Sequence, residues 1–502
     1  MAFLKRQFDR LGYETFVLAC GGRIGNCNSR VNKSGLAHRL ECYKCRAGGI
    51  KSFVSLRPSW LDVPVPLDDA LLQLGHRFAF STAATALQVE HPRETRAGDF
   101  AGLQAALGRS AATAYVNARR WIRDNALDCV FLFNGRFDLV RSILEACLAE
   151  KVRFVSFERS WFGSGMQLLP DENCLGLKNF HALSSRWASR PLTYGQAASA
   201  SKLITRRLTR SSVGEWRQYN VSNNLGYSGD RIKYLFLPSS QHEWLGDVDR
   251  ASGWEHPTDG VEYLFRRMGV SLSELVVRGH PGWAMKISHY GPNRATGFYR
   301  DWAQRVGARF IEPAEPLDSH ELMKRSDLIL VNGSSASMEA AWIGRPVVSL
   351  VPAAFSASGI SRNLFAAQAI DALSPAELAW FASPSQPEEQ RRLQCTAALR
   401  YIYCANYRLF QFVDSLRSTS AYAFEAAEPA DLSGLESLAL RGLLQENDAR
   451  FAPDGREERE VVDAILAGNH GSIREVPVPG STVSREPMKR RIPYRLIDLV
   501  TP

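Results

Sequence analysis

Apolar and polar positions fall into two stretches where strand-like runs alternate with helix-like periodicity, separated by a segment with neither. In the first stretch Cys129 to Phe133 is a short apolar run suited to a buried strand. Phe137, Val140, Leu144, Cys147 and Leu148 then recur at helical spacing, and Val152 to Phe157 is a second strand-like run. Strand, helix, strand in about 30 residues predicts a βαβ unit with parallel strands. Asn134-Gly135-Arg136 and Glu158-Arg159 then stand at carboxyl ends of strands, where open α/β sheets place their ligands. Tyr13 to Cys20, ahead of Gly21-Gly22, reads as an earlier strand of the same sheet.

Residues 160–230 are rich in Ser, Arg and Asn without a clean period, except for a basic helix predicted over Ala197 to Arg210. After Asn223-Asn224-Leu225-Gly226 the rhythm restarts, with strands predicted at Ile232 to Leu237, Leu275 to Arg278, Arg309 to Ile311, Leu328 to Val331 and Val347 to Leu350. Helical spacing between them groups Leu264, Phe265 and Met268; Phe298, Trp302 and Val306; and Leu317, Leu322 and Met323. The fold class is therefore α/β, with one domain over 1–225 and a second over 226–370. Leu393, Ala397, Tyr401, Cys404 and Leu409 predict a helical extension over 371–450, and 451–502 reads as a polar, basic, Gly/Pro-punctuated tail.

Composition adds limits. With 502 residues, 45% hydrophobic and 23% charged, the chain is excluded from wholesale disorder and long enough for several cores. The net charge of +9 suits an acidic partner and sits mostly at the N-terminus, where residues 1–60 hold 11 Lys and Arg against 3 Asp and Glu. A second basic knot, Arg485, Lys489, Arg490, Arg491 and Arg495, is interleaved with Met488, Ile492, Tyr494 and Leu496, a mixture that fits either a solvated tail or a membrane surface. No stretch has the roughly 20 apolar residues of a membrane span. Nine scattered cysteines argue against a disulfide scaffold and for a reducing cytoplasm.

The densest candidate chemistry runs from Ser326 to Ser349. A buried strand ends at Val331, Asn332-Gly333-Ser334-Ser335 turns, and a helix follows. Helix-end amides with the Ser334 and Ser335 hydroxyls would cradle a phosphate, or the serines simply cap the helix. Glu339, one turn on, could accept from ribose hydroxyls. His280-Pro281, just after another strand, offers a donor to a phosphate or leaving-group oxygen, unless His280 is structural. Cys20, Cys27, Cys42 and Cys45 have a two-residue gap in the last pair that suits a structural zinc site, with His38 as an alternative ligand and iron-sulfur a lesser variant; four free thiols are the other reading. Asp247-Val248-Asp249 reads as a turn rather than a metal motif.

His280-Pro281 followed by Ser334-Ser335 resembles the His-Pro and Ser-Ser motifs of bacterial sialyltransferases that use CMP-activated sugars. Asn332 to Val348, with Asn134-Gly135-Arg136 and Glu158-Arg159 upstream, is more specifically similar to capsule polysaccharide biosynthesis proteins, which include the Kdo transferases of capsule and lipopolysaccharide assembly. The resemblance covers roughly residues 125–350 and implies a GT-B fold, two Rossmann-like domains facing a cleft. The first would bind a glycan or glycolipid acceptor, through Asn134, Arg136 and Arg159. In the second His280, Pro281, Ser334 and Ser335 would hold the CMP phosphate, with Glu339 near the ribose. The Asp-rich motif that supplies the sialyltransferase base is not evident, so the carboxylate that glycosyl transfer needs is sought at Glu158, or at Glu243 after the first strand of the second domain; an ion pair with Arg159 or Arg136 is the other role for Glu158. The implied activity is transfer of an acidic sugar, Kdo, from a CMP donor, needing no cofactor for chemistry, in the cytoplasm beside the inner membrane. A UDP-sugar-dependent transferase or epimerase is the alternative, and a nucleic-acid-binding protein, which lacks a base-reading helix here, the third.

Overall fold

A computed structural model describes residues 1–32, 38–49, 52–53, 57–159, 165–208, 229–284, 294–411, 415–420, 423–427, 432–442, 455–474, 476 and 486–494. The expected domain boundary at 225/226, Arg485 and Arg495 lie outside them.

Strands β1 (Leu18–Ala19) and β2 (Ser59–Trp60) pair with each other, so the stretch 13–20 yields only a two-residue strand, apart from the main sheet. The predicted βαβ unit forms as β3 (Cys129–Phe133), helix Asp138–Glu150 and β4 (Arg153–Arg159), paired in parallel from Cys129↔Arg153 to Phe133↔Phe157. Its sheet is mixed, because β5 (Met166–Pro170) pairs antiparallel with β4. Two long helices, Asp69–Leu87 and Gly98–Asp124, cover it. They cross where Gly75 and Gly108 meet: a Cβ on Gly75 would strike the Gly108 carbonyl, and one on Gly108 the His76 ring.

The second unit holds β6 (Ile232–Leu237), β7 (Leu275–Arg278), β8 (Arg309–Ile311), β9 (Ser326–Val331), β10 (Val347–Ser349) and β11 (Arg362–Asn363). All pair in parallel, in the order β11-β10-β9-β6-β7-β8. This is the doubly wound order that reverses between its first and fourth strands, and a crevice opens there at the carboxyl ends. Crossover helices Pro257–Met268 and Arg294–Val306 bury Val261, Leu264, Phe265, Tyr299 and Trp302 on one face of the sheet. Two α/β units result, and they meet through contacts such as Arg136 to His242 O and Arg250 to Leu175 O.

The C-terminal third departs from the expected helical extension and polar tail. Helix Glu388–Cys404 buries Leu399, Tyr401, Ile402 and Tyr403 against helices from both units, including Lys178–Ala188 and Ala336–Trp342. The chain then adds β12 (Phe410–Gln411) to the N-terminal sheet beside β5, followed by β13 (Leu416–Ser420) and β14 (Ala423–Ala426). Helix Glu458–Leu466 inserts Val461, Val462 and Ile465 into the largest core, and β15 (Glu486–Met488) pairs with β14. The heptad-like spacing at 393–409 reports the helix correctly, whereas strand additions from distant sequence carry no local signal. No helix among the described residues is long and apolar enough to cross a membrane.

The close helix crossing gives a direct test. Gly75→Ala is expected to lower unfolding stability by about 1–3 kcal/mol in denaturant titration, because two helix backbones must separate; an unchanged midpoint would show that the crossing is not constrained.

Candidate active site

At the reversal between β6 and β9 the two strand ends are stitched together. The Asn332 side chain donates to Ser239 O (2.9 Å) and accepts from Ser239 N (2.6 Å), and the Ser239 hydroxyl donates to Asn332 O (3.2 Å). Gly333 follows at φ +88, a conformation that favours glycine, and delivers the half-buried Ser334 and Ser335 to helix Ala336–Trp342. The Ser334 hydroxyl accepts from Ala336 N (3.3 Å), whereas Ser335, the N-cap residue, makes no side-chain cap bond.

His280 and Pro281 stand after β7, one strand beyond β6 and so about 10 Å from the serine turn across the sheet. Gly282 N donates to His280 Nδ1 (3.1 Å), which assigns the ring proton to Nε2. Trp283 joins this loop to the first strand by donating to the Ser240 hydroxyl (2.6 Å), and stacks on Tyr299 at 5.4 Å. Glu339 is buried, with Oε2 3.0 Å from His320 Nε2, so a ribose hydroxyl would share this carboxylate with the histidine.

In the N-terminal unit Asn134 (φ +63) and Gly135 (φ +72) make a tight left-handed turn off β3. Asn134 donates to Glu158 Oε2 (2.7 Å), and Arg159 N donates to Glu158 Oε1 (2.9 Å), which fixes the half-buried carboxylate at the end of β4. Arg136 donates to the hydroxyls of Ser81 and Thr85, both at 3.0 Å, and reaches His242 O in the other unit at 3.5 Å. Burial pushes its pKa down, opposed by the surrounding Cys174, Glu243, Glu158 and Asp247. Four expected site residues, Asn134, Arg136, Glu158 and Glu243, thus share one neighbourhood at the junction of the units.

Two functional candidates escaped the sequence reading. Arg250, in the turn after Asp247-Val248-Asp249, donates to Leu175 O (3.2 Å) and Pro352 O (3.5 Å), and its Nη1 lies 3.9 Å from where a Cβ on Gly333 would be. It is a cation beside the glycine turn, held between both units. Asp247 and Asp249 accept from Asn173 Nδ2 (3.1 Å) and Leu177 N (3.2 Å), in keeping with a turn role. Glu90 is fully buried at the junction, where Gln241 N donates to it (3.2 Å) and Tyr299 hydrogen-bonds to it; burial raises its pKa well above the carboxylate range. His256 Nε2 lies 3.8 Å away, and burial pushes that imidazole down to about 3. Burial thus favours the uncharged form of both groups.

The cysteines are neighbours without forming a ligand set. Among the described residues no three His, Cys, Asp or Glu side chains are placed to share a metal ion. Cys42 Sγ instead accepts from Arg30 Nη2 (2.8 Å), Cys20 Sγ accepts from Gly22 N (3.4 Å), and burial pushes the Cys20 and Cys27 thiols up to about 11 and about 12. Cys45 is exposed, and the His38 side chain lies outside the described residues.

No protein family model matches the chain, and no curated protein sequence does. Among solved structures, Thermosulfurimonas dismutans KpsC, a beta Kdo 2,4 transferase, is 12% identical over 61% of this chain and 83% of its own, at a TM-score of 0.33. The beta Kdo 2,7 transferase of KpsC from the same organism gives 10%, 63%, 84% and 0.32. S. aureus MnaA in complex with UDP gives 15%, 59%, 78% and 0.27. At these identities and scores the likeness bears on neither substrate nor residue role.

Two measurements check the site. Between its ordinary unfolded value and its raised folded value, Glu90 holds more proton in the native state, so its contribution to stability falls as pH rises. His256 runs the other way and stops contributing slope above its unfolded value of 6.5. The melting temperature of Glu90→Gln minus that of wild type is therefore expected to increase from about pH 5 to about pH 8; a difference that does not change would contradict a protonated Glu90. Elemental analysis is expected to find less than about a tenth of an equivalent of zinc or iron per chain, and a stoichiometric value would restore the closed metal site.

Proposed function

We propose that the protein is a cytoplasmic glycosyltransferase that moves an acidic sugar, Kdo, from a CMP-activated donor onto a bacterial capsule or lipopolysaccharide glycan at the inner membrane. The observation that carries this reading is the placing of Glu158, held by Asn134, in the charged neighbourhood of Arg136, while Arg136 and Arg250 each reach from one unit to the other beside the glycine turn. Ser334, Ser335 and Arg250 would hold the donor phosphate, and the His280 Nε2–H would donate to the departing oxygen. Arg136 supplies a cation for the sugar carboxylate, a group that a neutral sugar lacks. The acceptor hydroxyl forms a bond to the anomeric carbon, the carbon–oxygen bond to CMP breaks with its electron pair on the phosphate, and Glu158 takes the hydroxyl proton. Fixed donors facing the developing phosphate charge lower the barrier without reorganising at the moment of reaction.

Thermal shift and turnover test this together. CMP at about 100 times its dissociation constant is expected to stabilise the protein by about 2.7 kcal/mol, and stabilisation by UDP alone would overturn the donor. Glu158→Gln is expected to keep the CMP shift and to reduce Kdo transfer by about a hundred- to ten-thousand-fold. Near-normal turnover in that variant removes Glu158 from the chemistry, with Glu243 next in line.

A further inference from the structure

The two basic segments, more than 400 positions apart in sequence, are brought together by the fold. Helix His38–Gly48 places Leu40, Tyr43 and Ala47 along one stripe, spaced i, i+3 and i+7. The C-terminal segment crosses the end of this helix: Arg490, itself buried, donates to Ala47 O at 2.5 Å, and Arg491 N donates to Ser52 O at 2.7 Å. Phe53 packs on Phe424 of β14, the strand that pairs with β15, at 5.5 Å between ring centroids. Residues 486–491 are thereby held against the rest of the chain.

What remains outside is a mixed surface. Arg39, Arg46, Lys489 and Arg491 are exposed and Lys44 is half-buried, while Leu40, Tyr43 and Ile492 are 56%, 54% and 72% exposed. Glu41, the acidic residue of the helix, is buried, and the exposed Glu486 lies 3.7 Å from Arg6. Exposed leucine, isoleucine and tyrosine cost free energy in water, and they stand among cations rather than apart from them.

We propose that this composite face, formed by helix His38–Gly48 and residues 489–492, docks the protein on an anionic lipid surface. The cations meet lipid phosphates, and Leu40, Tyr43 and Ile492 enter the boundary between headgroups and acyl chains. A nucleic acid fits less well, since two of the three apolar groups are aliphatic and offer no stacking plane. The inference gives a location to the membrane placement in the proposed function, but its test reads lipid binding rather than sugar transfer, so either can fail alone.

The experiment is co-sedimentation of the full chain with phosphatidylcholine vesicles and with vesicles in which about one lipid in three is phosphatidylglycerol. Wild type is expected to bind the anionic vesicles, to lose most binding at about 1 M salt, and to leave neutral vesicles in solution. Lys489→Ala with Arg491→Ala is expected to weaken binding about thirty-fold, at about five-fold per cation. Ile492→Ser is expected to weaken it further at unchanged charge. Melting temperatures within error of wild type keep these variants interpretable, and the salt series on wild type stands without them. Equal binding to neutral and anionic vesicles, binding unchanged in the variants, or tighter binding to an oligonucleotide that Ile492→Ser leaves untouched would overturn the proposal.

Discussion

The reciprocal hydrogen bonding of Asn332 with Ser239 is the constraint on which the rest of the site depends. It joins the ends of β9 and β6 at the point where the sheet order reverses, and crossovers leave the sheet in opposite directions on either side of it. With those ends fixed, Gly333 can turn tightly, Ser240 can receive the Trp283 indole, and Tyr299 can donate toward Glu90 while meeting the Asn332 amide at 3.2 Å. Each contact uses a group that would otherwise be a buried polar atom lacking a partner, and such an atom costs about 1–3 kcal/mol. A change at Asn332 would therefore spread to both faces of the crevice.

The junction between the units is polar where a core would be apolar. Arg136 is half-buried and donates to two hydroxyls and a carbonyl, and the carboxylates around it limit the cost of withdrawing its charge from water. At Glu90 and His256 burial favours the uncharged forms, which lowers that cost. Hydroxyls and carbonyls fix the relative register of the units through direction as well as distance, which apolar packing alone does not do.

Much of the second unit was legible because buried parallel strands are short apolar runs and the helices between them keep a 3.6-residue period; β6 to β10 all form where that pattern indicated. Asn134, Arg136, Glu158, His280 and the serine turn do stand at or just past the strand ends where the pattern put them. The two helices spanning 69–124 are rich in alanine and glycine, so their contact is made by backbone proximity and leaves a weak apolar stripe. Glu90 and Arg250 have ordinary neighbours in sequence; their chemistry comes from partners 151 and 75 to 102 positions away. The cysteine spacing suggested a shared ion, but spacing fixes only how far apart ligands are along the chain, and Arg30 takes the place beside Cys42.

The return of the chain to the first sheet through β12 bears on how the molecule is made. During synthesis the N-terminal unit emerges early, yet its sheet lacks an edge strand until residues 410 and 411 have left the ribosome. Until then the outer edge of β5 presents unpaired backbone groups, the kind of template on which incomplete chains associate. The whole second unit is inserted between the strands of the first, so the two cannot mature in simple succession. Synthesis through Gln411 sets when that sheet can first be complete.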